Sequence, residues 1–510
     1  MDQALALEIM LSSHSVLLTG PAGSGKTYVL AEFIRQAKKA GQTVAVTATT
    51  GLAASHLGGA TIHAWSGLGI HDALPANFLR DLSQARRDTI AKTDVLIIDE
   101  ISMLHDFRLD LVDEALRLVR DDERPFGGVQ VVLCGDFFQL PPVNRGGERG
   151  GNFVTKAAAW AALELVICYL AEQHRQNDAE FLEILGALRA GDVRRRHAER
   201  LLAQVGAEVG GGVTELHTTN ADVDWINQVQ LEAMPGEPHT YHMETTGSAN
   251  YVESLKRSCL AVEELVLKSG ALVMCIKNSP DRKYVNGSLG TVVEFEPLTD
   301  YPIVELHSGR RLTITPESWE LRDGDKKRAG LSQLPLRLAW AITVHKSQGM
   351  TLDAARVDLR RAFVPGMGYV ALSRVRSLAT LSLVGINQMA LRVSPEALAI
   401  DQELRARSAV DVERFGHLAA AAAKRAAASA KAPANSPSGS GGGWSVRLAD
   451  MRTTYPNAFK PWSKADDAEL QQRFRDGQGL AELGQRFGRQ AGSIRARLQK
   501  HFGEDVAIPS

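Results

Sequence analysis

One octapeptide near the start limits what this chain can fold into: Gly20-Pro21-Ala22-Gly23-Ser24-Gly25-Lys26-Thr27. It fits G-x-x-x-x-G-K-[ST], the phosphate-binding loop. An apolar run, Ser15–Thr19, precedes it, and Tyr28–Arg35 follows with apolar spacing that suits a helix. In that strand–loop–helix setting the glycines let backbone N–H groups close around an anion, and the helix turns its positive end toward it. Lys26 then reaches the β- and γ-phosphates, and the Thr27 hydroxyl ligates Mg²⁺. The loop by itself says only that a nucleoside triphosphate binds here.

Residues 15 to about 135 alternate apolar runs with helical patterns. Ser15–Thr19, Thr43–Thr47, Asp94–Ile98 and Val129–Cys134 lack polar alternation, which predicts strands buried on both faces in a parallel, helix-covered sheet. The run Asp94–Ile98 ends in Asp99-Glu100. After a phosphate loop such an acidic strand end places Asp99 near Mg²⁺ and Glu100 where it activates the attacking water. Gly135-Asp-Phe-Phe-Gln139-Leu-Pro-Pro142 follows another apolar strand and would face the nucleotide, with Gln139 bonding the γ-phosphate or the water.

A second α/β region runs from about 165 to 410, with Thr214–Thr218, Ala355–Asp358 and Thr380–Val384 as strands. Within it, residues 265–335 change to short strands punctuated by Asn286-Gly287 and Ser308-Gly309, the pattern of a small antiparallel barrel. The expected division is therefore 1–165, then 166–264 with 336–412, with 265–335 inserted. An Ala-rich and then Pro/Ser/Gly-rich tether covers 413–443, and a separate module covers 444–510.

Composition mostly excludes. Lys+Arg 58 against Asp+Glu 59 gives net −1, so net charge points to no nucleic-acid partner and any basic track must be local. Cys134, Cys168, Cys259 and Cys275 form no C-x-x-C pair, which argues against zinc and against a disulfide scaffold and fits a reducing cytosol. No basic leader is visible, and no apolar run approaches the ~18 residues a membrane span needs. A cytoplasmic protein without a membrane partner is expected.

Longer segments carry a resemblance. Residues 47–67, 94–104, 125–143 and EQHRQ at 172–176 are similar, in order, to helicase motifs of the Pif-one family, in the RecD-like branch of superfamily 1. So are NGSLGTV (286–292), LPLRLAWAITVHKSQGMTLD (334–353) and GYVALSRVRS (368–377). The resemblance runs from the N-terminus to about 385. It implies two RecA-like domains with ATP and Mg²⁺ in the cleft between them, single-stranded DNA across their tops, an SH3-like insertion and a wedge-like insertion near 56–80. By the same similarity Gln3 reads adenine, and Arg175 and Arg374 reach the γ-phosphate, where a planar guanidinium suits the spread charge. Thr50, His63 and Trp65 fall in the segment like the first DNA-contacting motif, and Thr343, His345, Lys346 and Ser347 in the segment like the fifth. Hydroxyls and imidazoles hold phosphates without reading sequence, and an aromatic can stack a base, though Trp65 suits a core as well. The chain departs from the family pattern in having little before Gln3, and in His174, where an apolar aromatic often precedes the arginine.

The last stretch is independent. Three short helices, opening at Ser463, spanning Leu480–Phe487 and running from Arg489 to Phe502, would share a core of Trp462, Leu470, Phe474, Leu480, Leu483, Phe487, Ile494 and Leu498. This resembles a Myb/SANT-like helix-turn-helix. Residues 444–503 hold 11 Lys/Arg and 6 Asp/Glu, net +5, with Arg489, Arg495, Arg497 and Lys500 on the last helix. That helix enters a duplex groove, or else it is a solvated or protein-docking face.

The resemblance implies an ATP-dependent helicase moving 5′→3′ on single-stranded DNA and acting at single-strand/duplex junctions in repair, recombination, replication or telomere maintenance. A monomer suffices for it. Two rivals stay open: a nucleic-acid-stimulated translocase or remodeller that does not unwind, and a sequence-specific DNA-binding protein with an ATPase switch.

Overall fold

The computed structural model describes residues 1–502 except 70, 143–148, 174–175, 177, 210–212, 260, 280–282, 285, 324–325, 353, 432–463, 477, 490–493, 495–496 and 499–500. It divides into two units, 1–425 and 426–510.

Helix α1 (Gln3–Leu11) leads into β1 (Val16–Thr19), and the phosphate loop joins β1 to α2 (Lys26–Lys39). With β2 (Val44–Ala48), β3 (Ala60–Thr61), β4 (Val95–Asp99), β5 (Gln130–Gly135) and β6 (Val166–Tyr169), β1 builds a sheet ordered β3-β2-β4-β5-β1-β6. All its pairings are parallel. The unbroken apolar runs fit because each strand feeds two cores. Leu17, Leu96, Ile98, Val131 and Leu133 enter one, and Val16, Leu18, Val95, Ile97 and Val132 enter the other. Parallel pairing also brings the carboxyl ends of β1, β4 and β5, with their phosphate loop, acid pair and Gln139 loop, to one edge.

Strand β6 corrects the expected boundary at 165: it pairs with β1, Val16 opposite Val166, and so belongs to the first sheet. A second correction concerns the helix Pro395–Arg414, expected in the second domain. It returns to cover the open edge of β6. There the Asp411 carboxylate accepts from the Ile167 amide at 2.8 Å, and the Ser408 hydroxyl accepts from the Tyr169 amide at 3.3 Å. These bonds satisfy edge groups that would otherwise be open to pairing. The Ala-rich stretch placed in a tether from 413 is helical from Ala419, and Arg425 in it pairs with the buried Glu8 of α1.

The second sheet has four parallel strands in the order Ala341–Thr343, Thr214–His217, Ala355–Leu359 and Leu381–Ile386. One core continues between the sheets, taking in Leu17, Leu133, Leu216, Leu359 and Leu383. The antiparallel insertion is larger than expected. Five strands between Leu272 and Leu338 form one antiparallel sheet, whose last strand, Leu336–Leu338, lies past the expected end at 335. Glu317–Asp323 and Lys326–Gln333 form a hairpin that pairs with Glu244–Gly247, upstream of the expected start at 265. A small core of Val252, Leu255, Ala329 and Leu331 seals that hairpin against the helix Ala249–Ser258.

In the second unit the helices Lys464–Arg475 and Leu480–Phe487 enclose Leu470, Leu480, Leu483, Phe487, Ile494 and Leu498, with Phe474 and Phe502 packed against them. Trp462 and Ser463 lie outside the described residues. Among the described residues no helix is long and apolar enough to cross a membrane.

Candidate nucleotide cleft

The phosphate loop owes its shape to glycine. Gly23 and Gly25 have φ of 87° and 84°, left-handed values that side chains disfavour, and a Cβ on Gly20 would lie 2.4 Å from the Leu170 carbonyl oxygen. Gly25 caps α2, so the first amides of that helix open into the loop. Lys26 Nζ donates to the carbonyls of Gly20 at 2.9 Å and Pro21 at 3.0 Å. Burial holds the Lys26 ammonium below its ordinary pKa, with Asp136 pulling the other way. Gln3 Nε2 donates to the Ser24 carbonyl at 3.0 Å, which ties α1 to the loop from outside.

The loop borders a cavity of about 340 Å³ that both α/β domains line. The first domain supplies Ala22, Lys26, Thr27, Asp99, Glu100 and Gln139, and the second supplies Gly349, Thr351, Arg374 and Arg376. Glu100 adopts φ 54° and ψ 43°, a left-handed conformation unusual for a glutamate. Bonds on both sides hold it: its amide donates to Asp99 Oδ1 at 2.8 Å, and its carbonyl accepts from Thr49 Oγ1 at 3.0 Å. Burial, reinforced by the neighbouring Asp99, pushes the Glu100 carboxyl up to about 7. Burial likewise raises Asp99, against the Glu100 amide and Lys26. Gln139 is buried, and its Oε1 has no hydrogen-bond partner among the described residues. A basic loop, two acids reluctant to stay charged together and an unspent amide oxygen suit a polyphosphate with a divalent cation. Among the described residues no cluster of three His, Cys, Asp or Glu side chains forms a metal site by itself.

Arg374 borders the cavity but is almost wholly buried. Its Nε donates to the Val370 carbonyl at 2.8 Å and a terminal nitrogen to Ser373 Oγ at 2.8 Å. Arg175 lies outside the described residues, as do Arg495 and Lys500. Two residues missed by the sequence reading also reach the cleft: Arg376 is exposed at its border, and Gln348 donates to Glu100 Oε2 at 2.9 Å.

The proposed DNA contacts need correction in part. Ser347 is fully buried, donates to the Val344 carbonyl at 2.8 Å and, through its own carbonyl, accepts from Arg374, so its hydroxyl faces inward. Thr343 is buried too, and its hydroxyl accepts from the Lys346 amide. Thr50 caps the Ala53 amide, and Trp65 packs against the core. His63 is pushed down to about 4, chiefly by burial and then by Arg108 and His105. His345 and Lys346 are lowered by burial, and the His345 ring stacks at 6.5 Å from the exposed Phe363. In the second unit Arg489 is buried, and the half-buried Arg497 pairs with Asp467 of the first helix.

A phosphate loop and an acid-tipped strand on a parallel sheet, closed by a second α/β domain, define a P-loop NTPase of the two-domain, RecA-like kind. The family model for PIF1-like helicases matches residues 1–199, and that for the 2B domain of DNA helicase Pif1 matches residues 250–295. An ATP-dependent DNA helicase Pif1 of Psychrobacter sp. (strain PRwf-1) is 40% identical over 466 residues, covering 79% of this chain and 71% of its own. The crystal structure of Pif1 helicase from Candida albicans superposes with a TM-score of 0.70 at 34% identity, over 79% of this chain and 98% of that one. A Pif1 helicase from Bacteroides in complex with ADP-AlF3 and ssDNA does so at 0.63 and 31% identity, over 81% and 98%. The chain belongs to the PIF1-like helicase family, the ATP-dependent DNA helicases of that name. It spans 65% of the human relative it matches.

Proposed function

We propose that this chain hydrolyses ATP with Mg²⁺ in the cleft and uses the cycle to move 5′→3′ along single-stranded DNA, unwinding duplex or folded DNA ahead of it. The observation that carries this is the convergence of Lys26, Thr27, Asp99, Glu100 and Gln139 from one domain with Arg374 and Arg376 from the other on one cavity. Lys26 and the loop amides hold the phosphates, Thr27 and Asp99 hold the cation, and Glu100 takes the proton of the attacking water. Mg²⁺ would neutralise charge growing between the β- and γ-phosphate oxygens. Gln139, Arg374 and Arg376 make the cleft's closure depend on the γ-phosphate, with Arg175 assigned to the same role by similarity. Closure and opening of a two-domain cleft is the event that becomes a step on the strand.

The Bacteroides structure bound to nucleotide analogue and ssDNA supports DNA as the partner. His63, Thr50, His345 and Lys346 remain candidates for phosphate contact. The C-terminal three-helix unit we read as a Myb/SANT-like tether for duplex DNA or a protein. We assign the chain to repair, recombination, replication or telomere maintenance, acting in the cytoplasm as a monomer, the state that suffices for this architecture.

The test is ATP-dependent strand separation on matched duplexes with a 5′ or a 3′ single-stranded tail, using the full chain and its Lys26→Ala variant. Unwinding of the 5′-tailed duplex alone, lost in the variant, is expected. DNA-stimulated hydrolysis without separation of either duplex would move the assignment to a translocase. Wild-type turnover by Lys26→Ala would overturn the site.

A further inference from the structure

Behind the cavity lies a second set of polar groups that the hydrolytic roles do not use. Tyr369 sits on the helix Met367–Leu372, five residues before Arg374, with its ring buried. Its hydroxyl accepts from the Ala22 amide of the phosphate loop at 3.0 Å. The same oxygen accepts from Arg189 at 3.3 Å and lies 3.4 Å from Asp136 Oδ2. Arg189, on the helix Ala179–Ala190, pairs with Asp136 at 2.7 Å and Asp401 at 3.0 Å and donates to the Tyr169 hydroxyl at 3.1 Å. Its guanidinium also stands 4.2 Å from the Phe138 ring centre.

This cluster joins elements on both sides of the cleft. Ala22 belongs to the phosphate loop. Asp136 opens the turn that ends at Gln139, whose amide donates to the Asp136 carbonyl at 3.0 Å. Tyr369 shares its helix and the turn after it with Arg374, and Asp401 lies on the helix that straps β6. Asp136 is fully buried and Arg189 is 6% exposed, so separating them would leave charge unpaired in a dry interior. Buried pairs of this kind add little net stability, and fixing one register between two elements is their best-attested use. A guanidinium that bridges two carboxylates fixes geometry in a way an ammonium does not.

We propose that Tyr369 and Arg189 are positioning residues for hydrolysis. They key the second domain to the phosphate loop and to the Gln139 turn, so that Arg374 and Gln139 come into line only when the domains hold this register. The proposal rests on the cleft being the ATP site. Tyr369→Phe removes one oxygen and keeps the ring. In the full chain with saturating single-stranded oligonucleotide, its kcat for ATP hydrolysis should fall about tenfold, the scale of one hydrogen bond lost from the alignment of Arg374 and Gln139. KM for ATP should stay within about twofold, because the Ala22 amide loses an acceptor while Lys26 keeps its bonds to the Gly20 and Pro21 carbonyls and the glycine backbone of the loop is unchanged. Arg189→Lys, which keeps the charge but not the fork, should give the same split. A kcat within about twofold of wild type in both variants overturns the proposal. So does a loss of activity that only tracks a lower folded fraction, read from thermal unfolding of the same samples. Lys26→Ala run in parallel separates the two ideas. An active Lys26→Ala enzyme sinks the site, whereas an inactive one beside an unimpaired Tyr369→Phe sinks only this positioning role.

Discussion

Gln348 Nε2 donates to Glu100 Oε2 at 2.9 Å, joining the acid at the tip of β4 to the second domain across 248 residues of sequence. One carboxylate oxygen is thereby oriented by the far side of the cleft, which leaves the other for water. Gln348→Ala should cut DNA-stimulated kcat about tenfold, the scale of one oriented hydrogen bond. Gln348→Glu should cut it further, because a third carboxylate beside Asp99 and Glu100 favours a protonated, non-basic Glu100. Steady-state hydrolysis with saturating single-stranded DNA measures both, and a Gln348→Ala enzyme at the wild-type rate would remove Gln348 from the mechanism.

The Glu100 carboxyl, pushed up to about 7 by burial and then by Asp99, sets a pH limb. A base must be ionised, so kcat/KM for ATP should rise with pH up to about 7 and level off above it. Stability should run the other way. The folded protein keeps a proton that the unfolded chain has released between 4.5 and about 7, so this group's contribution falls as pH climbs through that window. Glu100→Gln should abolish turnover and flatten that part of the unfolding profile, which pH-resolved denaturation would detect.

What the sequence disclosed and what it hid divide along chain distance. The phosphate loop, the acid-tipped strand and the Gln139 turn follow local rules, a glycine pattern and an apolar run ending in polar residues, and they meet because the strands are parallel. The boundary expected at 165 falls one strand early because Leu165–Leu170 is apolar whichever sheet receives it, and only its pairing with β1 decides. Glu244–Gly247 escaped notice because all four residues are exposed and carry no hydrophobic alternation. Gln348 and Tyr369 stood inside segments that resemble family motifs, yet their partners, Glu100 and Ala22, lie on the other domain. No periodicity reports such a contact. Ser347 misled for the same reason: a hydroxyl in a polar loop looks available until the fold turns it toward Val344.

Two arginines two residues apart differ in surroundings. Arg374 is buried and bonded to Val370 and Ser373, while Arg376 is exposed at the cavity border. Arg374→Lys should lose both packing and the planar donor set, lowering kcat at least a hundredfold and the unfolding midpoint with it. Arg376→Ala should weaken turnover or ATP affinity about tenfold with unfolding unchanged, since an exposed side chain contributes little to stability. Paired kinetic and thermal measurements decide, and equal losses of stability in the two variants would contradict the difference in burial.

Asp411 carries a prediction about the frame rather than the chemistry. Its carboxylate accepts from the Ile167 amide at the edge of β6, and the residue is largely buried. Asp411→Ala leaves that amide without its partner in a place water reaches poorly, at a cost of about 1–3 kcal/mol. Asp411→Asn keeps an acceptor oxygen and should lose less, because only the charge on the bond is gone. Since β6 abuts β1, which ends in the phosphate loop, the loss should appear first as a lowered denaturation midpoint, with hydrolysis near wild type while the chain stays folded. Alanine and asparagine variants that unfold together with the wild type would mean that the helix Pro395–Arg414 holds the sheet edge by packing alone.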